Sequence, residues 1–181
     1  NLYFDSERQG YDSAMWTTIT GTPTVNGSDN VEFNGSSAVG TADIARGEVM
    51  FFLTVPHAPT SGDVREWGLK QINSSVAATF KITDAVFTAY VSDINGVTAS
   101  STITWESGWT STETKFAIDF TPGYVTFYID GRRMAVQSNS GAPNGPMSLY
   151  VNNAYADSME LSHVQFRSVD FYAPGPQVTI A

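Results

Sequence analysis

Three short stretches carry most of the chemistry this sequence has to offer: Arg65-Glu66-Trp67, Trp105-Glu106-Ser107-Gly108-Trp109, and Asn152-Asn153 followed by Tyr155 and Asp157. Indole rings stack on the apolar face of a sugar ring, while amides, carboxylates and guanidinium groups satisfy its hydroxyls, so this is the chemistry of binding. Bond cleavage is less well provided for. There is no Cys, hence no thiol nucleophile and no zinc–thiolate centre, and no Gly-x-Ser-x-Gly elbow to present a serine. The two histidines do not suggest a catalytic dyad. His57 lies between Pro56 and Ala58 in a loop-forming context, and His163 alternates with Gln165 and Arg167 on what reads as the wet face of a strand.

Each binding residue also has an architectural role open to it. Tryptophan in a β-rich domain more often fills the core than faces a ligand. Trp16, beside Met15 and Ile19, reads as core for that reason, whereas Trp67, Trp105 and Trp109 stay open between the two roles. Asn152-Asn153 serve equally well as a turn.

These groups must be positioned by strands. Of 181 residues, 13% are aromatic and only 15% charged, and Ser, Thr, Gly and Asn fill many polar positions, a composition suited to pleated sheet. The net charge of −9 sets up a field that repels phosphate backbones and anionic lipid headgroups, so nucleic acid and membrane are poor partners. No run of about 18 apolar residues occurs, and the first residues lack the regions of a signal peptide. Low lysine content and Ser/Thr richness point to an extracellular, cell-surface or virion-surface setting. Residues 1–173 are expected to form one domain, with Pro174-Gly175-Pro176 opening an arm or linker over 174–181. Leu2 to Phe4 read as a first strand, although Asn1-Leu2-Tyr3-Phe4 also matches part of a common protease-cleavage tag.

Turn signals punctuate the chain at Asn26-Gly27, Asn34-Gly35, Asn95-Gly96, Asp130-Gly131 and Asn144-Gly145, residues that tolerate the positive φ of tight hairpins. Between them lie roughly a dozen short runs with period-two alternation. The clearest hairpin runs from Tyr124 to Val136, with Val125, Phe127 and Ile129 on one face and Asp130-Gly131 at the turn. Phe116, Ile118 and Phe120 form the buried face of the strand before it, and Thr121-Pro122-Gly123 breaks the ladder. Glu48 to Val55 reads as a central strand, and Val86 to Val91 and Ser148 to Val151 as shorter ones. Met159 to Tyr172 reads as a long closing strand whose alternation slips between Phe166 and Val169, as at a bulge. The fold class expected is all-β, a two-sheet antiparallel sandwich of jelly-roll type.

The order of elements resembles the concanavalin A-like lectin and glucanase superfamily, laminin G-like domains included. The resemblance is carried by Trp16, Gly47-Glu48-Val49-Met50-Phe51-Phe52, Phe116-Ala117-Ile118-Asp119-Phe120-Thr121-Pro122, Val125 to Gly131, and Ser148 to Asn153. It implies a concave sheet on which many relatives bind glycans and some cleave them, with Glu66-Trp67 on the strand that faces the cleft. Retaining glucanases of this fold supply two carboxylates about 5 Å apart from a Glu-x-Asp-x-Glu strand. Where that strand is due, this chain has Asp63 to Lys70 and then Ala77 to Ile82, and Glu66 has no acid at i+2 or i+4. Alginate lyases of the jelly-roll kind need a histidine where Gln71-Ile72-Asn73 places Asn73, which cannot accept the proton. The resemblance also implies a structural calcium ion joining the first and last strands, with Asp5 and Asp170 as ligands.

The expectation is therefore a non-catalytic extracellular recognition domain that binds a glycan or a surface partner through its concave sheet and loops. Its binding residues are expected to be Arg65, Glu66, Trp67, Trp105, Trp109, Asn152, Asn153 and Tyr155. The alternatives are a structural module of a phage or virus particle, docked on neighbouring virion proteins, and a glycoside hydrolase or polysaccharide lyase.

Overall fold

The computed structural model describes residues 3–5, 16–138 and 141–171. Apart from one 3-10 turn at Ser107–Trp109, the regular structure among the described residues is all strand: β1 (Tyr3–Asp5), β2 (Trp16–Thr20), β3 (Thr24–Val25), β4 (Val31–Phe33), β5 (Ser36–Thr54), β6 (Val64–Lys70) and β7 (Ala77–Thr83). These are followed by β8 (Val86–Ser92), β9 (Thr98–Thr102), β10 (Thr114–Thr121), β11 (Tyr124–Ile129), β12 (Arg132–Ser138), β13 (Met147–Asn153) and β14 (Met159–Phe171). The expected arm at 174–181 lies outside the described residues.

The 19 residues of β5 belong to two layers. Its first half pairs with β2 and β13, and its second half pairs with β10 and β14, all antiparallel. One sheet thus runs β14-β5-β10-β11-β12, and the other runs β5-β13-β6-β7-β8-β9. Their inner faces interlock through aromatic rings. Trp67 of the second sheet meets Phe116 of the first edge-on at 5.0 Å, and Phe80 meets Phe116 at 5.3 Å and Phe127 at 5.2 Å. Burying each such side chain contributes about 1.5–3 kcal/mol, which makes this seam the main source of stability. The result is a two-sheet antiparallel sandwich of jelly-roll type.

The turn chemistry behaves as the sequence predicts at Asp130-Gly131, and Gly35 and Gly96 also take positive φ, whereas neither Asn26-Gly27 nor Asn144-Gly145 does. Asp130 and Gly131 take φ of 49° and 79°, the pair of positive values required by a two-residue hairpin between β11 and β12. In β14 the register against β5 shifts between Arg167 and Asp170, beside Ser168 at φ 53°, which is where the alternation slips. Gly47 permits the close approach of these strands: a Cβ there would lie 2.6 Å from Val169 Cα.

One tight turn carries no glycine signal. Asp84 and Ala85, at φ 47° and 69°, join β7 to β8. Gly62 N and Ser61 Oγ donate to Asp84 Oδ1 at 2.9 and 3.0 Å, tying the preceding loop to the turn. These hydrogen bonds, the backbone one foremost, hold the Asp84 carboxyl below its ordinary range. Because the folded value is depressed, the stabilisation is fully present above the unfolded value of about 3.9 and is lost as pH falls through the folded value. Asp84→Asn, which keeps the turn geometry and an acceptor oxygen, is expected to flatten the acid limb of stability below about pH 4 in urea titrations. An acid limb as steep as the parent's would contradict this assignment.

Candidate functional site

Period-two alternation gives the second sheet an outer face, turned away from the first sheet. Along β6 the apolar Trp67 and Leu69 point inward, so Glu66 and Lys70 point outward, with Gly68 between them. Thr79 and Lys81 of β7, Thr88 and Tyr90 of β8, and Ser148, Tyr150 and Asn152 of β13 share that outer face. The register sets them in rows. Asn152 stands opposite Glu66, Glu66 opposite Lys81, and Lys81 opposite Thr88; one row over, Tyr150, Gly68, Thr79 and Tyr90 follow one another. Gly68, at φ 145°, has no room for a Cβ, which would fall 2.5 Å from Ala78 O and 2.8 Å from Ile118 Cδ1, so this position in the row carries no side chain.

The groups on this face contact one another. Thr79 Oγ1 donates to Glu66 Oε1 at 2.8 Å, and Lys70 Nζ lies 3.8 Å from Glu66 Oε2. Lys70 Nζ also sits 4.7 Å from the centre of the Tyr150 ring, and Lys81 Nζ sits 4.9 Å from that of Tyr90. Burial, and secondly the charge of Glu66, push the Tyr150 phenol up to about 12. At neutral pH Tyr150 is therefore a hydrogen-bonding hydroxyl and not a base. On β6 and β7 the outer positions are Val64, Glu66, Gly68, Lys70, Ala77, Thr79, Lys81 and Thr83, so Glu66 stands there without a second acid.

Of the residues expected from the sequence, only Glu66 and Asn152 meet on this face, as direct cross-strand neighbours. Trp67 does not reach it. It is 0% exposed and packed against both Phe80 and Phe87, so it is a core residue and cannot stack on a ligand. Trp109, 5% exposed, packs edge-on against Trp105 at 5.6 Å and is likewise taken up by packing. Trp105 is part-buried, donates Nε1–H to Thr110 Oγ1 at 3.0 Å, and lines a cavity of about 480 Å³ with Pro59, Val86, Phe87 and Ile103. That cavity opens where β8 begins and β9 ends.

Arg65, Asn153 and Tyr155 do converge, but around a buried guanidinium at one end of the second sheet. Arg65 is 0% exposed. It donates Nε–H to Asn153 Oδ1 at 3.3 Å and Nη2–H to His57 Nε2 at 2.7 Å, lies 5.2 Å from the Tyr155 ring centre, and holds Nη1 3.2 Å from Asp63 Oδ2. Asn153 Nδ2 in turn donates to the carbonyls of Phe33 and Asp157. Arg65 and Asn153 are both buried and bonded to neighbouring segments, so they pin loops at this end of the sheet. Gln71-Ile72-Asn73 form an exposed turn after β6, apart from Arg65.

Asp5 and Asp170 are not brought together. Asp5 pairs with His163 of β14 through its backbone, its side chain lying outside the described residues, and Asp170 is seven positions further along that strand, roughly 20 Å away at the usual strand rise. The Asp170 carboxylate accepts from Arg46, and among the described residues no group of three or more His, Asp or Glu could hold a metal ion.

The first sheet has an outer face as well. There His163 stacks on Phe52 at 4.0 Å, and Glu48 stands directly opposite Asp119 across β5 and β10. Both acids line a cavity of about 270 Å³ with Lys115, Tyr128 and Arg167, and Arg167 is ion-paired with Glu48. Sequence reasoning looked for acids along one strand and so missed this cross-strand pair. It also missed Lys70, Thr79, Lys81, Tyr90 and Tyr150, whose alternation is readable but whose grouping depends on register.

No family model and no curated protein matches the chain. Solved structures do. A Bacillus licheniformis β-glucanase superposes with a TM-score of 0.66 at 12% identity, over 93% of this chain and 99% of that one. A Crh5 transglycosylase solved in complex with NAG gives 0.66 at 14% identity, over 92% and 83%. A botulinum neurotoxin serotype D binding domain gives 0.65 at 12% identity, over 92% of this chain and 47% of that one. Identities this low establish the fold alone, and that fold is the concanavalin A-like jelly roll.

Proposed function

We propose that this domain recognises carbohydrate, without cleaving it, on the outer face of its second sheet. The observation that carries the reading is the grouping of two tyrosines, two lysines, an amide and a carboxylate around Gly68 on one face, with Glu66 as the one acid on β6 and β7. Aromatic and hydrogen-bonding groups gathered on one face suit a sugar ring. The glucanase, the transglycosylase and the toxin binding domain share the fold, which is compatible with a carbohydrate role. Under this reading the setting is extracellular or on a cell or virion surface. Glycan-array screening followed by calorimetry tests it: Tyr90→Ala and Asn152→Ala are each expected to weaken binding about tenfold or more, equivalent to about 1.4 kcal/mol. Affinities equal to the parent's for both variants would overturn the site.

A second reading, hydrolysis, is favoured by one observation, the Glu48 and Asp119 pair in the cavity of the first sheet. Against it, the Glu48 carboxylate is engaged by Arg167 and so is not free to act on a glycosidic bond. Turnover of a β-glucan that disappears in Glu48→Gln would establish hydrolysis in place of recognition.

A further inference from the structure

Resting on the recognition reading above, we infer that the glycan bound on the second sheet carries a carboxylate, as a uronic acid residue does, and that Lys81 is the residue that receives it. The sequence has a net charge of −9 and only three lysines, Lys70, Lys81 and Lys115. Two of the three stand on this one face. Lys70 is shared with Glu66 at 3.8 Å. Lys81 stands opposite Glu66 in the ladder yet forms no ion pair among the described residues, and its ammonium group lies over the ring of Tyr90. A ring face holds an ammonium group in place without neutralising it, so Lys81 keeps its charge and its N–H donors for a ligand.

Glu66 is engaged by Lys70, and Asp43 at the β5 border accepts from the Ser148 hydroxyl at 2.7 Å. Lys81 thus has no ion-pair partner among the described residues, inside a strongly acidic molecule. Such a site selects for one carboxylate placed over it. A densely charged polymer, by contrast, would meet the repulsion of the whole surface within a Debye length of about 10 Å. The ligand class is therefore a mostly neutral glycan bearing isolated uronates, and not a sulfated or fully uronic chain.

The test uses one glycan in two forms: a glucuronate-substituted xylo-oligosaccharide, and the same oligosaccharide with its carboxyl reduced to a hydroxymethyl group. Calorimetry with the parent protein is expected to show the acidic form binding at least tenfold tighter. Lys81→Met should bind both forms with the affinity the parent shows for the reduced form. Lys81→Arg should restore the preference, and Lys115→Met, on the other sheet, should leave it intact. Equal affinity of the parent for both forms would overturn the uronate inference while leaving recognition standing. Failure to bind either form, or any neutral oligosaccharide on an array, would overturn both.

Discussion

Trp67→Ala is expected to lower the free energy of unfolding by about 3–5 kcal/mol, read from denaturant titration, because it empties the centre of the aromatic seam between the sheets. Against a total of about 5–15 kcal/mol for a domain, that is a large fraction. The side chain is 0% exposed and touches the rings of Phe80, Phe87 and Phe116, so the cavity left behind cannot be filled by solvent or by a small shift of one neighbour. Its Nε1 is buried without a hydrogen-bond partner. Trp67→Phe should therefore cost far less than the alanine variant, since the loss of ring volume is partly offset by removing a donor whose isolation costs about 1–3 kcal/mol. A normally stable Trp67→Ala protein that had lost glycan binding would instead mean that the indole faces a ligand.

Arg65→Ala is expected to cost about 3–5 kcal/mol, because it leaves the Asp63 carboxylate uncompensated in the interior. Both residues are 0% exposed, and they are in charge contact at 3.2 Å without hydrogen-bond geometry, as both Asp63 carboxylate oxygens and Arg65 Nη1 lack a hydrogen-bond partner. Burial raises the Asp63 carboxyl above its ordinary range even against the attraction of Arg65. For an acid with a raised folded value, the penalty is absent below the unfolded value of about 3.9 and grows as pH rises toward and through the folded value. Removing Arg65 enlarges that penalty, so the variant should be less destabilised near pH 4 than near pH 8, opposite in sign to the contribution of Asp84. Asp63→Asn/Arg65→Met, which deletes both charges at similar volume, should recover most of the loss. If the double variant proves as unstable as Arg65→Ala, the packing of Arg65 against Tyr155 and Asn153 matters more than the charge.

The same two residues show how far the site could be read in advance. Arg65, Glu66 and Trp67 are consecutive, and a strand sends alternate side chains to opposite faces, so no ligand on one face could touch all three. Alternation alone required a choice between Glu66 and its neighbours; which face was wet followed from where the second sheet lay. The aromatic pair at Trp105 and Trp109 divided in a similar way, because the 3-10 turn at Ser107–Trp109 folds one indole inward and leaves the other at the rim of a cavity. The first half of β5 was missed as strand because Ser36 to Gly47 is rich in Ser, Ala and Gly, whose β-propensity is weak, and it is the pairing with β2 and β13 that holds it extended.

What the sequence determined by itself is local: the period-two burial of Phe116, Ile118 and Phe120, the Asp130-Gly131 hairpin, the slip near Ser168, and hence an antiparallel sandwich. These depend on the geometry of one strand or one turn, and a few neighbouring residues suffice to specify them. Tertiary structure decided which side chains share a surface. Lys81 lies opposite Glu66, Tyr150 opposite Gly68, and Glu48 opposite Asp119 only because particular registers place residues 15 to 82 positions apart side by side. A slip of one residue would send each of them to the other face.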